Sequence, residues 1–395
     1  MNPMTPSTPG NPLQLNREEI FAAHEGGKLS ITSARPLADM HDLSLAYTPG
    51  VATVCEAIAA DPAVARTHTG RGRTVAIISD GTAVLGLGDI GPEAALPVME
   101  GKAQLFSSFA GLNAIPIVLD VHGVDELVDT IAAMAPSFGA INLEDISAPR
   151  CFEVERQLIE RLDIPVMHDD QHGTAVVILA ALRNALRLLD RQIGEARIVV
   201  SGAGAAGVAA VEMLRGAGAR DVVVLDSRGI IHAGREDLNP VKQALAATTN
   251  PRGVTGGMAE ALTGADVYIG VSGGHVAEEA LQLMADQPIL FSLANPSPEI
   301  DPELAGRYGA IVATGRSDLP NQINNVLAFP GIFHGALAAR ARSITPGMKL
   351  AASQAIADIA AETLDVGHVV PSPLDPRVAP AVSAAVQAAA EAEGA

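Results

Sequence analysis

Residues 139–172 read GAINLEDISAPRCFEVERQLIERLDIPVMHDDQH. Two short apolar runs, 139–143 and 164–167, each lead into a pair of acids, Glu144-Asp145 and Asp169-Asp170, with a helix-period stretch between them. That is a strand–helix–strand unit, and it makes the fold α/β. In an open parallel sheet, ligands bind outside the carboxyl ends of the strands. Carboxylates crowded there repel one another and raise each other's pKa unless a cation balances them. The stretch therefore reads as a divalent-metal site.

The same rhythm extends on both sides. Upstream, Asn16 with Glu19 predicts a capped helix that Gly26-Gly27 closes, and a second helix is expected near 51–60 after the Pro49-Gly50 turn. A strand follows over 74–80, then a helix over 92–110 that carries Lys102, a strand over 115–121 and a helix over 124–135. Downstream, GTAVVILAALRNALRLLD (173–190) predicts a long helix buried on most sides that joins two halves. Strands at 197–202, 221–226, 266–272, 288–295 and 310–315 alternate with helices, and further helices are expected near 331–342, 346–364 and at the C-terminal end. Such alternation means a parallel sheet covered on both faces. The expected architecture is a parallel-sheet N-terminal catalytic domain over 1–162 and a Rossmann-type dinucleotide domain over 163–395. Residues 1–15 are polar and proline-rich and read as a mobile arm.

Composition narrows the function classes. With 48% apolar residues the chain can bury a sizeable core, and a formal charge of −19 argues against nucleic acid or an anionic membrane as partner. The two cysteines, Cys55 and Cys151, make no disulfide framework, which suits a cytoplasmic location. No signal peptide is expected, nor any run of 18 apolar residues. The chain has only four lysines, at 28, 102, 242 and 349, so a lysine inside a motif is less easily chance.

GAGAAG (Gly202, Ala203, Gly204, Ala205, Ala206, Gly207) follows a strand, opens a helix and precedes Asp226 at the end of the next strand. Glycines permit close approach of backbone to a pyrophosphate, and the helix N-terminus offers free N–H groups. Asp226 would bind ribose hydroxyls and favour NAD; Arg228 could hold a 2′-phosphate, which leaves NADP open. Glu144, Asp145 and Asp170 could give three oxygen ligands to Mg²⁺ or Mn²⁺. Their bland reading is helix capping, and zinc on His168 and His172 is the rival metal site. Asp169 would stand behind the ligands, orienting them or Lys102. Lys102, in an apolar helix, could have its pKa lowered by burial and act as a general base. Tyr47, beside the Pro-Gly turn, could donate a proton. A snorkelling lysine and a core tyrosine are the plain alternatives. Asn295 and Asn325 could meet a carboxylate substrate or simply form turns.

Taken together, these residues resemble the malic enzymes over nearly the whole chain, roughly 16–390. The resemblance rests on LAYTPGVA (45–52), SDGTAVLGLGDIGPEAALPVMEGKA (79–103), INLEDISAPRCFEVE (141–155), IPVMHDDQHGTA (164–175), GAGAAG, LANPSPEI (293–300) and LPNQINNVLAFPGI (319–332). It looks like the short bacterial form, without the acyltransferase-like extension. The resemblance implies oxidative decarboxylation of (S)-malate to pyruvate and CO₂ with reduction of NAD(P)⁺, and decarboxylation of oxaloacetate. It implies Lys102 as base at the C2 hydroxyl and Tyr47 as proton donor to C3. Glu144, Asp145 and Asp170 would be metal ligands, with Asn295 and Asn325 at malate and Asn295 also at the cofactor. A homodimer is expected, by resemblance and because symmetric dimers are common. One position departs from larger eukaryotic members: Ala83 stands where they carry an arginine for the substrate carboxylate. Arg73 is the candidate replacement. The rival functions are another β-decarboxylating dehydrogenase, a metal-dependent oxaloacetate decarboxylase, and a non-catalytic dinucleotide sensor.

Overall fold

The computed structural model describes residues 16–395 apart from Leu85 and Pro296; the arm expected over 1–15 lies outside the described residues. Helices α1 (Arg17–His24), α2 (Met40–Ala46), α3 (Gly50–Ala60) and α4 (Ala65–His68) precede the first sheet. The Asn16 side chain accepts the Glu19 N–H at 2.8 Å, and Gly26 and Gly27, both at positive φ, end the helix. The sheet is built from β1 (Thr74–Ser79), α5 (Pro92–Ala110), β2 (Asn113–Val118), α6 (Val124–Met134), β3 (Ala140–Leu143), α7 (Arg150–Arg161) and β4 (Val166–His168). Its order is β2-β1-β3-β4, every pair parallel. The chain steps from β1 to β2 on one side and then crosses to β3 on the other. That reversal opens a crevice at the carboxyl ends of β1 and β3. The residues just past those ends are Asp80-Gly81 and Glu144-Asp145.

Helix α8 (Asp169–Leu188) starts four residues earlier than expected, so Asp169 and Asp170 form its first turn. Acids are favoured there by the unpaired N–H groups and the helix dipole. Most of α8 is buried, in a core shared by both halves.

The second sheet follows: β5 (Arg197–Ser201), α9 (Ala205–Gly216), β6 (Asp221–Asp226), β7 (Gly229–Ile230), α10 (Pro240–Thr248), α11 (Met258–Leu262), β8 (Val267–Gly270), α12 (Glu278–Leu281), β9 (Ile289–Ser292), α13 (Pro302–Tyr308) and β10 (Ile311–Thr314). Its order is β10-β9-β8-β5-β6-β7, the doubly wound dinucleotide pattern with its crevice between β5 and β8. The expectation of an all-parallel sheet fails at β7, which pairs antiparallel with β6. Ser227-Arg228 is a two-residue connection, and only antiparallel strands can be joined so tightly. The chain ends in α14 (Phe329–Ala339), α15 (Pro346–Ala361) and α16 (Val378–Glu393). Of these, α14 and α16 pack back against α5.

The segment Met40–Ala60 has the length and mean hydropathy, 21 residues at 1.3, of a membrane-crossing helix, although no 18-residue apolar run was expected. It is broken by the turn at Tyr47–Pro49 into helices of 7 and 11 residues. At 1.5 Å per residue neither spans the ~30 Å of a bilayer core.

Candidate active site

Three elements converge at the first crevice. Lys102 comes from α5, Glu144 and Asp145 from the end of β3, and Asp169 and Asp170 from the start of α8. Lys102 Nζ lies 2.6 Å from Asp169 Oδ2 and 2.8 Å from Glu144 Oε1, with all three side chains buried. The ammonium also sits 4.4 Å from the ring centre of Phe329, which α14 brings over it. Glu144 accepts a second bond from Asn142 Nδ2 at 2.9 Å, and Asp170 Oδ2 accepts the Asp145 N–H at 2.8 Å. Asp145 holds φ at +54°, a strained value for a non-glycine residue.

Glu144, Asp145 and Asp170 each place a carboxylate oxygen within 4.8 Å of the others. Asp169 instead faces the lysine, and Gly173 makes room for it: a Cβ at 173 would lie 1.8 Å from Asp169 Oδ1. Burial raises the pKa of Glu144, Asp169 and Asp170, with Lys102 opposing and neighbouring acids adding to it. The expectation that burial lowers the Lys102 pKa is overturned. Burial does press that way, but Asp169, Glu144 and Asp170 together outweigh it and hold the ammonium protonated.

Neither histidine belongs to the acid trio, although His168 Nδ1 lies 3.9 Å from Asp170 Oδ2. His168 is fully buried, with its pKa lowered to about 4 chiefly by burial. Both nitrogens of His172 are engaged: Nε2 meets Glu155 Oε2 at 3.0 Å, and Lys349 Nζ meets Nδ1 at 3.1 Å. Among the described residues, the grouped metal-ligating atoms at this crevice are all carboxylate oxygens.

The second crevice carries GAGAAG between β5 and α9. A Cβ at Gly207 would fall 1.8 Å from the Gly202 carbonyl oxygen, so only glycine lets the helix start this close to the strand. A cavity of about 1220 Å³ runs from Gly202–Gly204 to Asp226 and Arg228. It shares Val271–Gly273 with a second cavity of about 670 Å³, lined by Ala205, Ala206, Asp145, Asp170 and Asn295. Asp170 in turn lines a third, of about 380 Å³, with Lys102, Glu144 and Asn325. The glycine turn and the acids thus line three neighbouring cavities that share wall residues, Val271–Gly273 between the first two and Asp170 between the last two.

Other expected residues fall elsewhere. Tyr47, at the end of α2, is 68% exposed and lines none of these three cavities. Arg73 lies at the amino end of β1 and donates to Asn113 Oδ1 at 3.2 Å, at the far end of the strand from the acids. Arg228 is exposed and pairs with Asp237 at 3.0 Å.

Sequence reading missed the groups that actually hold Asp226. Arg235 grips its two oxygens at 2.8 and 3.1 Å, and Lys242 Nζ lies 2.6 Å from Oδ2. Lys242 was visible as one of four lysines; Arg235, nine residues from Asp226, gave no local signal. Also missed were Glu155, which ties α7 to the β4–α8 junction, and Glu299. Glu299 is buried and accepts from the Ser272 and Ala294 N–H groups at 2.9 and 3.2 Å, joining two loops that wall the second cavity.

Comparison with known proteins matches this arrangement to two families. Residues 26–159 match "Malic enzyme, N-terminal domain" and residues 171–392 match "Malic enzyme, NAD binding domain". The chain is 53% identical to an NAD-dependent malic enzyme of Geobacillus stearothermophilus, over 94% of this chain and 78% of that one. It is 48% identical to an NADP-dependent malic enzyme of Halomonas elongata, over 92% and 90% of the two chains. The crystal structure of an NAD-dependent malic enzyme from Thermotoga maritima superposes with a TM-score of 0.90 at 46% identity, over 95% of this chain and 99% of that one.

Proposed function

The chain belongs to the malic enzyme family, and from that premise we propose that it converts (S)-malate to pyruvate and CO₂ while reducing NAD⁺ or NADP⁺. The observation that carries the reading is the series of neighbouring cavities from the GAGAAG turn to Lys102 and the acids, walled in part by the same residues, which would bring a nucleotide and a small substrate side by side. In this reading residues 1–162 form the catalytic domain and 163–395 the nucleotide domain, with Asp169 and Asp170 reaching across from the second.

The acid trio fits a hard divalent cation, Mg²⁺ or Mn²⁺: three converging oxygens, no sulfur or imidazole, and carboxyl groups whose pKa is raised by their crowded burial. Such an ion would act as a Lewis acid on the substrate oxygens. Glu144, Asp145 and Asp170 are its assigned ligands. A dication held by Glu144 and Asp170 would balance two of the three acids that keep Lys102 protonated. The Lys102 ammonium would then release its proton to solvent, and the neutral amine, positioned by Asp169 at 2.6 Å, would accept the C2 hydroxyl proton. Asn295 and Asn325 border the acids from the nucleotide side and the lysine side and would orient malate. Tyr47 would protonate C3 after CO₂ leaves. Its exposure in the single chain fits a homodimer in which that residue meets a site only on assembly. The same site would decarboxylate added oxaloacetate.

The test is formation of reduced nucleotide from malate with Mg²⁺ or Mn²⁺, and its loss with a chelator. Absence of reduced nucleotide with either coenzyme sinks the reading. Turnover that survives complete metal removal sinks the assignment of the acids.

A further inference from the structure

The charge balance of this site leaves a task unassigned. Glu144 and Asp169 meet Lys102 directly, and Asp170 acts on it from close by. Lys102 and one divalent ion would balance these three acids and leave no positive charge over. Malate brings two carboxylates. The one away from the acid trio would enter a half-buried space with acids on its wall, where like charges repel more strongly than in water. A cation should stand at the far side of that space.

The arginines near the crevice do not. Arg73 is at the wrong end of β1. Arg150 is engaged by Asp80, by Thr82 Oγ1 and by the His122 carbonyl. Ala83, at the β1 end of the crevice, has no charge to offer.

Lys28 does reach. It lies just beyond α1 and lines the 380 Å³ cavity together with His24, Lys102, Glu144, Asp170 and Asn325. Its backbone N–H donates to Glu100 Oε2 at 3.1 Å, and its Nζ donates to the Pro97 carbonyl at 2.8 Å, so both ends of the residue are anchored on α5. Nζ lies 3.5 Å from the position of a Cβ at Gly101, the residue before Lys102. Among the described residues the Lys28 ammonium forms no ion pair. An ammonium has three donors, and only one is used by the protein.

We propose that Lys28 is a substrate-binding residue that holds the malate carboxylate lying away from the acid trio, and so selects dicarboxylates over monocarboxylates. The assignment rests on malate being the substrate. It gives the cavity two positive faces, the cation of the acid trio for one end of the substrate and Lys28 for the other. Lys28→Met keeps the apolar stem and removes the charge; Lys28→Arg keeps the charge.

The experiment uses the full chain with Mn²⁺. KM and kcat for malate are measured for wild type and both variants. Titration calorimetry, with reduced nucleotide present, follows tartronate, a dicarboxylate that cannot react onward, and L-lactate, its monocarboxylate counterpart. Lys28→Met should raise the malate KM and the tartronate Kd about tenfold or more, the scale of a lost charged hydrogen bond. L-lactate and nucleotide affinities should stay within about twofold, and Lys28→Arg should recover most of the dicarboxylate binding. Tartronate binding unchanged in Lys28→Met overturns the assignment. Equal weakening of tartronate and L-lactate also overturns it, because that is the mark of a structural role. A wild type that turns over malate, with a Lys28→Met variant that matches it, removes Lys28 alone. A wild type that never turns over malate removes the activity and this assignment with it.

Discussion

Lys102 shows how little a single residue's surroundings can be inferred from its neighbours in sequence. An apolar helix suggested a depressed pKa, yet the acids that oppose burial come from residues 144, 169 and 170, brought in by two other elements. Its removal should be severe and specific. Lys102→Ala should lower malate turnover by about a thousandfold, within the ordinary range for a lost acid–base group, while nucleotide affinity stays unchanged by calorimetry. Retention of most turnover would show that another group takes the proton. At the nucleotide end, Asp226 is covered by Arg235 and Lys242, with Arg228 pointing instead to Asp237. Burial works against the Asp226 carboxylate, but Arg235 and Lys242 bring its pKa down to about 2. Discrimination between coenzymes should therefore follow Arg235 more than Arg228. Arg235→Ala should change the ratio of kcat/KM for NADP to that for NAD by about tenfold, and Arg228→Ala by about twofold, given the weakness of exposed pairs. The opposite order in steady-state kinetics would return the role to Arg228.

Elements were more legible than residues. The strands and helices of both sheets announce themselves by apolar runs and glycine turns, and α5 occupies the span its proline start and Gly111 end mark out. The departures have local physical causes. Helix α8 begins at its acids because they suit a first turn, and β7 escapes notice because two residues carry no periodicity. What spacing could not reveal is how the β4–α8 junction is held. Glu155 of α7 accepts the His168 N–H at 2.7 Å and pairs with His172, fixing both ends of the pentapeptide that carries Asp169 and Asp170. Burial would raise the Glu155 pKa, but His172 and His168 outweigh it and bring it to about 2, below the ordinary 4.5. A depressed carboxyl pKa gives stability that is complete above the ordinary value and is lost as pH falls through the folded one. Glu155→Ala should thus cost about 3 kcal/mol at neutral pH, as for one partner removed from a buried pair. Its acid unfolding should be less steep than wild type between about pH 4.5 and 2. Denaturant titrations across that range test both; parallel pH profiles would mean that Glu155 carries no such linkage.

On the scale of the whole molecule, the segment from α1 to α3 stands apart. None of its helices buries a residue in the single chain, while Phe21, Ile31, Leu37, Met40, Leu45 and Tyr47 are all more than half exposed. Chains rarely leave so many large apolar side chains uncovered along one segment, and the homodimer proposed above would cover them at its two-fold interface. The sequence marked Tyr47 through its Pro-Gly turn but could not say that it would lie outside the cavities lined by Lys102. If Tyr47 serves the reaction, the second copy supplies it, and the arrangement can be tested without knowing the interface. Tyr47→Phe and Lys102→Ala chains, each nearly inactive alone, are mixed, dissociated and reassembled. Half of the dimers are then mixed, and each mixed dimer has one site with both groups intact. Activity should return to about a quarter of wild type. A tyrosine acting within its own chain would leave both defects in separate sites, and reassembly would restore nothing. Charged substitutions at Met40 and Leu45, measured by sedimentation, should yield monomers that retain nucleotide binding and lose malate turnover; active monomers would place the whole site in one chain.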